Sequence, residues 1–176
     1  MRHGFGSIIA LLSLALAGCD EPGELYQRPR AEVHELLRTV EVPLYMYGES
    51  TDTQAVVDGS DPAKMVWKIT ANDYNLMKFT ATLIPDGEAK TRVLIDVEGS
   101  KDGKWGDIEA RLQKGKEIRA LYLASMTEAV DSTLDGRAYD MTATYPALMA
   151  AAAANMNHLM PPSTGDDGHP DRGSGL

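Results

Sequence analysis

The chain has 176 residues, 43% of them hydrophobic, with 17 basic and 26 acidic side chains and a formal net charge of −9. This excess of carboxylates argues against nucleic acid, and against electrostatic attraction to anionic head groups, because both need a basic surface. A single cysteine, Cys19, excludes an internal disulfide.

In chain order, the first feature is a short basic start (Arg2, with His3), an apolar run over residues 8–17, and the small residues Ala17 and Gly18 directly before Cys19. This is the layout of a secretory signal peptide. About ten apolar residues cover only half the hydrocarbon thickness that some 20 are needed to cross, so the run is too short for a membrane span. Leu16-Ala17-Gly18-Cys19 resembles the lipobox of bacterial lipoproteins. The resemblance implies cleavage of residues 1–18 as a signal peptide and attachment of a diacylglyceryl group, with palmitate-type chains, to the Cys19 sulfur. It also implies a domain held at the cell membrane outside the cytoplasm, facing the periplasm. Two acyl chains are what stable attachment takes. Asp20 resembles the inner-membrane retention signal of the enterobacterial sorting rule.

Removing residues 1–18 takes away only Arg2 among the charged groups and leaves 158 residues. That is enough for one domain, which buries roughly two thirds of its unfolded surface. Residues 19–29 read as the lipidated cysteine and a polar spacer containing Pro22, Gly23 and Pro29, and residues 30–160 as a single α+β domain. Val33, Leu36, Leu37 and Val40 recur at helical spacing, so the sequence predicts an amphipathic helix over residues 29–40 that ends before Pro43. Tyr45-Met46-Tyr47 opens an irregular stretch.

From Thr53 the period becomes two. A short strand is expected over residues 54–57, closed by Asp58-Gly59, then three longer ones over residues 64–70, 75–84 and 90–98. Met65, Trp67 and Ile69, then Met77, Phe79, Ala81 and Leu83, then Val93, Ile95 and Val97 take one side, while Lys64, Lys68, Lys78, Thr80, Asp96 and Glu98 take the other. The connections Ala71-Asn72-Asp73-Tyr74 and Pro85-Asp86-Gly87-Glu88 are short turns, so consecutive strands pair antiparallel. The expected fold is therefore a small antiparallel sheet of about four strands, with one wet face and α-helices packed on the other.

Three helices follow. Asp107 caps a short one that Gly115 interrupts; a long one spans residues 116–134 and stops at Asp135-Gly136; a last one starts near Thr144, with Pro146 in its first turn, and runs through five consecutive alanines to about His158. Pro161-Pro162 ends it. Residues 161–176, with four glycines and almost no apolar side chains, read as a disordered tail.

No motif names a reaction. The nucleophile elbow G-x-S-x-G, the H-E-x-x-H helix, the P-loop and the dinucleotide glycine fingerprint are all absent from the sequence. Asp96 and Glu98 share one strand face about 7 Å apart, but Arg92 beside them makes an ordinary charge ladder the simpler reading. His34 reads as a solvated helical histidine. Met149, Met156, His158 and Met160 fall near one face of the last helix and could hold Cu(I) outside the cytoplasm, although no compact Met-x-x-Met cluster is present and methionine as a core filler is the simpler reading. Neither a catalytic residue nor a cofactor is expected. Tyr45, Tyr47, Trp67, Phe79 and Tyr122 are the candidate ligand-binding residues, with the Tyr45–Tyr47 stretch foremost because loops carry function more often than strands.

The strand over residues 91–97, after the turn Pro85-Asp86-Gly87, and the long helix that follows the meander resemble the helix-grip (START-like, polyketide-cyclase-like) family. That resemblance implies a cavity between sheet and long helix for an apolar ligand. The chain departs from that family in having four expected strands rather than about seven, and a further helix; no ligand residue carries over.

Two functions are expected from these features. One is a non-enzymatic envelope lipoprotein that binds a partner or an apolar small molecule. The other is a structural or assembly lipoprotein that docks on an envelope complex through the alanine-rich helix. An enclosed pocket lined by Trp67, Phe79 and Tyr122 favours the first, and an exposed apolar patch on the last helix favours the second.

Overall fold

A computed structural model of the protein describes residues 23–47, 52–101 and 106–159, the last four of these by backbone alone. The lipobox, Asp20, Trp105, Met160 and residues 161–176 lie outside the described residues. The fold is α+β: a five-stranded antiparallel sheet with helices on one face.

Strand β1 (Glu24–Tyr26) comes first, then helix α1 (Arg30–Leu37), strands β2 (Thr53–Asp58), β3 (Lys64–Ala71), β4 (Tyr74–Pro85) and β5 (Thr91–Gly99), and helices α2 (Ile108–Lys114), α3 (Lys116–Asp135) and α4 (Tyr145–Leu159). The sheet order is β1-β5-β4-β3-β2 with every neighbouring pair antiparallel. Four of these strands match the alternation in the sequence. The fifth, β1, corrects both the strand count and the extent of the spacer, since Glu24-Leu25-Tyr26 pairs with Val93, Arg92 and Thr91 of β5. Three residues are too few to show a period, so the sequence carries no strand signal there.

The turn between β3 and β4 places Asn72 and Asp73 at φ 49° and 66°, the left-handed pair of a two-residue hairpin whose twist matches its flanking strands. Register across the sheet puts Trp67 opposite Phe79, and Phe79 opposite Val97. Trp67 and Phe79 are fully buried, as are Met65 and Ile69, whereas Lys68, Lys78 and Glu98 stay exposed on the other face. Met126, Val130 and Leu134 of α3 and Val33 and Leu37 of α1 complete the same core.

Helix α1 is shorter than the apolar spacing suggests because its last turn tightens: Arg38, Thr39 and Val40 donate to carbonyls three residues back. His34 is buried, not solvated, and its Nε2 lies 3.1 Å from the Asp61 carbonyl. The β2–β3 turn closes over it, a contact between distant segments that helical periodicity does not report. Asp96 pairs with Arg119 of α3 at 2.6 Å and Glu98 with Lys78 at 2.9 Å. Asp96 thereby ties the sheet to α3.

Two ties hold the covering helices. At the start of α2, the Asp107 side chain accepts from the Ala110 N–H at 2.7 Å, while Glu109 reaches back to accept from the Gly99 N–H at 2.7 Å. The latter needs a glycine, because a Cβ on Gly99 would stand 2.5 Å from the Glu109 nitrogen and 2.7 Å from the Ile108 carbonyl carbon. At the edge of the sheet, the Tyr26 hydroxyl donates to Asp131 of α3. Burial pushes the Asp131 carboxyl and the Tyr26 phenol upward, so the bond binds β1 to the helix layer in a partly dry setting.

Helix α3 ends with Gly136 in the left-handed conformation (φ 67°), and the chain turns back along it. Glu128 organises the return. Its carboxylate accepts two bonds from Arg137, one at 3.0 Å, and one from the Asp140 N–H at 2.8 Å. These donors, led by the Arg137 side chain, hold the Glu128 carboxyl below its usual range.

Two outcomes follow for stability. Gly99→Ala is expected to cost about 2–3 kcal/mol, because α2 must move off β5. Gly87→Ala meets no atom within 4 Å and carries only the strain of its positive φ, about 1 kcal/mol. Urea unfolding midpoints of the two variants would order them that way. For Glu128, a lowered native pKa means stability present above the unfolded carboxyl value and lost as pH falls through the native one. Glu128→Gln should therefore be less stable than the parent at pH 7, and the gap should close between pH 5 and pH 2 in the same assay.

Candidate functional site

The candidate aromatic residues are brought together in part. Tyr47 packs 5.3 Å from Phe79 and edge-on to Tyr122 at 5.1 Å, ring centre to ring centre, while Tyr45 stands edge-on to Tyr139 at 6.5 Å. The Tyr139 hydroxyl lies 3.2 Å from the Ser125 hydroxyl on α3. Ser125 also lies close enough to influence the Tyr47 phenol, but Tyr47 makes no well-formed hydrogen bond among the described residues. Burial, the largest cause, raises the Tyr47 phenol strongly; the half-exposed Tyr45 is pushed up to about 12 by desolvation first and by Tyr139 next. These phenols stay neutral at any physiological pH. The cluster joins the irregular stretch 44–47, α3 and the returning chain, and Ser125 is the member that sequence reasoning missed.

Trp67 sits beneath this group as the cross-strand neighbour of Phe79, its Nε1–H without a partner among the described residues. Phe79 and Trp67 have no exposed surface at all. They form the floor of a packed core, and the aromatic cluster is its upper layer.

Two concave features among the described residues lie elsewhere. An open cleft of about 620 Å³ runs between α1 and the turns that follow β2 and β4. Arg30, His34 and Arg38, each one turn apart on α1, face Gly59, Pro62 and Glu88 across it. Arg38 is engaged within it, donating to the Gly59 carbonyl at 2.8 Å and lying 3.5 Å from Glu35. A smaller hollow of about 230 Å³ on the wet face is lined by Lys68, Met77, Lys78 and Glu98. Among the described residues, no three His, Cys, Asp or Glu side chains converge as a metal site. Of the copper candidates, Met149 points to solvent at 67% exposure, the side chains of Met156 and His158 are not described, and Met160 lies outside the described residues.

The least expected surface is α4. Alanine is the strongest helix former, and Pro146 in the first turn costs no hydrogen bond, so the segment is helical on propensity alone. It is seated on α3 by few groups. Thr144 and Ala151 are buried, Ala147 and Asn155 half-buried, and the Asn155 amide donates back to the Ala151 carbonyl at 2.7 Å. All the rest of residues 145–154 is exposed, including Tyr145 at 51%, Leu148 at 41% and Met149 at 67%, with Met141 at 52% just before it. Residues 141–155 contain no charged side chain. Tyr145, Leu148, Met149 and the exposed alanines make this an apolar surface, of the kind that marks an interaction site when it is contiguous over more than a few hundred Å². No helix among the described residues is long and apolar enough to cross a membrane.

Comparison of the chain with protein-family models, with curated proteins and with solved structures finds no match.

Proposed function

We propose that the protein is a lipid-anchored, non-enzymatic envelope lipoprotein whose domain works as a docking module, presenting α4 as its binding face. Cys19 carries the diacylglyceryl anchor and tethers the domain outside the cytoplasm. The observation that supports docking is the uncharged outer side of α4, which stays in water although Leu148, Met149 and Tyr145 would each gain by leaving it. A face of this kind lowers the solubility of an otherwise acidic domain and is explained by an occupant.

Binding of an apolar small molecule between sheet and α3 has less support. The side chains that would line such a cavity, Trp67 and Phe79 among them, are packed at zero exposure in a continuous core with Met126 and Val130. Tyr47 Oη and Trp67 Nε1, buried without a partner among the described residues, are features a small hydrogen-bond acceptor would satisfy.

The anchor and the docking face separate experimentally. Cys19→Ser is expected to release the chain from the membrane fraction and to leave it without the mass of the diacylglyceryl group; a variant that still fractionates with membranes would refute the anchorage. Met149→Asp, exposed and touching nothing in the core, is expected to leave the thermal midpoint within about 2 °C. In the cell envelope it should reduce cross-linking of the protein to its occupant at least fivefold; unchanged cross-linking would remove α4 as the docking face.

A further inference from the structure

We propose that the uncovered face of the sheet, at the end where β1 joins it, is the surface that lies on the bilayer holding the lipid anchor, which leaves α4 on the far side of the domain. The inference rests on the anchorage proposed for Cys19 and names the orientation that this anchor imposes.

Position comes first. Four residues, 20–23, separate Cys19 from β1, and fully extended they span only about half the roughly 30 Å length of α3. The membrane is therefore held against the part of the domain where β1 begins. There the Gly23 carbonyl accepts from Arg92 Nη1 at 3.2 Å. Arg92 belongs to the face that no helix covers, since it stands between Leu25 and Ile84 across the sheet, and Ile84 follows the exposed Lys78 at even spacing along β4. The tether thus enters beside the bare face.

Side-chain chemistry then separates the two sides of β1. Across the bare face one row runs Leu25, Arg92, Ile84, and the next runs Leu94, Thr82, Lys64. Ile84 is 44% exposed and Lys64 is exposed, while Leu25, Leu94, Thr82 and Arg92 are half-buried. These two rows hold three large apolar side chains, two cations and no carboxylate. The acids of the same face, Asp58, Asp96 and Glu98, stand in the rows farther from β1. On the helix side, by contrast, Tyr26 has Glu24, Asp131 and Asp135 for neighbours. A bilayer interface takes apolar groups at the acyl boundary and long basic side chains at the phosphates, and its negative surface potential repels carboxylates. It fits the first side of β1 and not the second.

Strength follows from the tether. Three apolar side chains and two cations hold a free domain weakly, but an anchor this close presents them to the interface at an effective concentration on the order of millimolar. The contact sets orientation, while the lipid supplies attachment. Helix α4 packs on α3, behind the sheet, so a domain seated in this way holds α4 away from the lipid.

The lipidated full chain is reconstituted into vesicles of phosphatidylethanolamine with a minor share of phosphatidylglycerol, and its orientation is read with a thiol-attached fluorophore quenched by nitroxide on the lipid head groups. Acylation uses the Cys19 thiol, so Ile84→Cys or Met149→Cys gives the chain one reactive thiol. Circular dichroism melts check that each variant is folded. The label at 84 is expected to be quenched at least threefold more than the label at 149. Adding Lys64→Glu to Ile84→Cys should lower that quenching at least twofold, because it sets a carboxylate against an anionic surface. Equal quenching at the two positions, stronger quenching at 149, or no change with Lys64→Glu would each overturn the proposed seat. A chain that takes two labels and stays off the vesicles overturns the anchorage and the seat with it, whereas one label, firm vesicle binding and an unquenched position 84 overturn the seat alone.

Discussion

An antiparallel sheet joined by short turns needs a cover for whichever face carries its apolar side chains. Here that face holds Trp67, Phe79, Met65, Ile69 and Leu83, all essentially without exposure. Everything else is arranged around covering it. Helix α3 lies across it, α1 closes the side near the β2–β3 turn, and α2 is drawn against the end of β5 by a carboxylate bonded to the Gly99 amide. The cost of leaving those side chains in water, about 25 cal/mol for each Å², is what compels a chain with so many carboxylates to fold compactly. Some of those carboxylates then serve as ties. Asp96, Glu109, Glu128 and Asp131 each connect one element to another.

The strands were legible in the sequence because a half-buried strand repeats every two residues, and Lys64–Ala71 and Tyr74–Pro85 keep that repeat without interruption. Asp107 and Gly136 were legible for a similar reason, as their roles in starting and stopping a helix depend on local chemistry alone. What the sequence concealed was settled between distant segments. Glu24-Leu25-Tyr26 becomes a strand only because β5 offers an edge, and His34 becomes dry only because the Asp61 turn folds over it. Tyr139 joins the aromatic cluster because Glu128 pulls the returning chain along α3.

The alanine run shows the limit most clearly. Its composition suits a buried helix and an exposed one equally, and nothing in residues 147–154 announces which neighbours it will have. Candidate residues chosen for aromatic character were placed by folding into the core and its upper layer, while the surface that most needs explanation is built from methyl groups. Of the predicted group, Tyr47 packs on Phe79 and Tyr122, Tyr45 meets Tyr139 instead, and Trp67 lies directly across from Phe79.

The strand at Glu24–Tyr26 also bears on where the domain can go. Under the anchorage proposed for Cys19, only the four residues 20–23 separate the lipid from β1, a span of at most about 14 Å when fully extended. A lead that short gives the domain no radius of exploration. So tethered, the domain would not hand a cargo across an aqueous compartment or reach a target in an opposing membrane, and its partners would be confined to what diffuses within, or lies against, its own leaflet. A bond as small as that between Tyr26 and Asp131 thereby sets working distance: were β1 to peel from the sheet, the leash would roughly double.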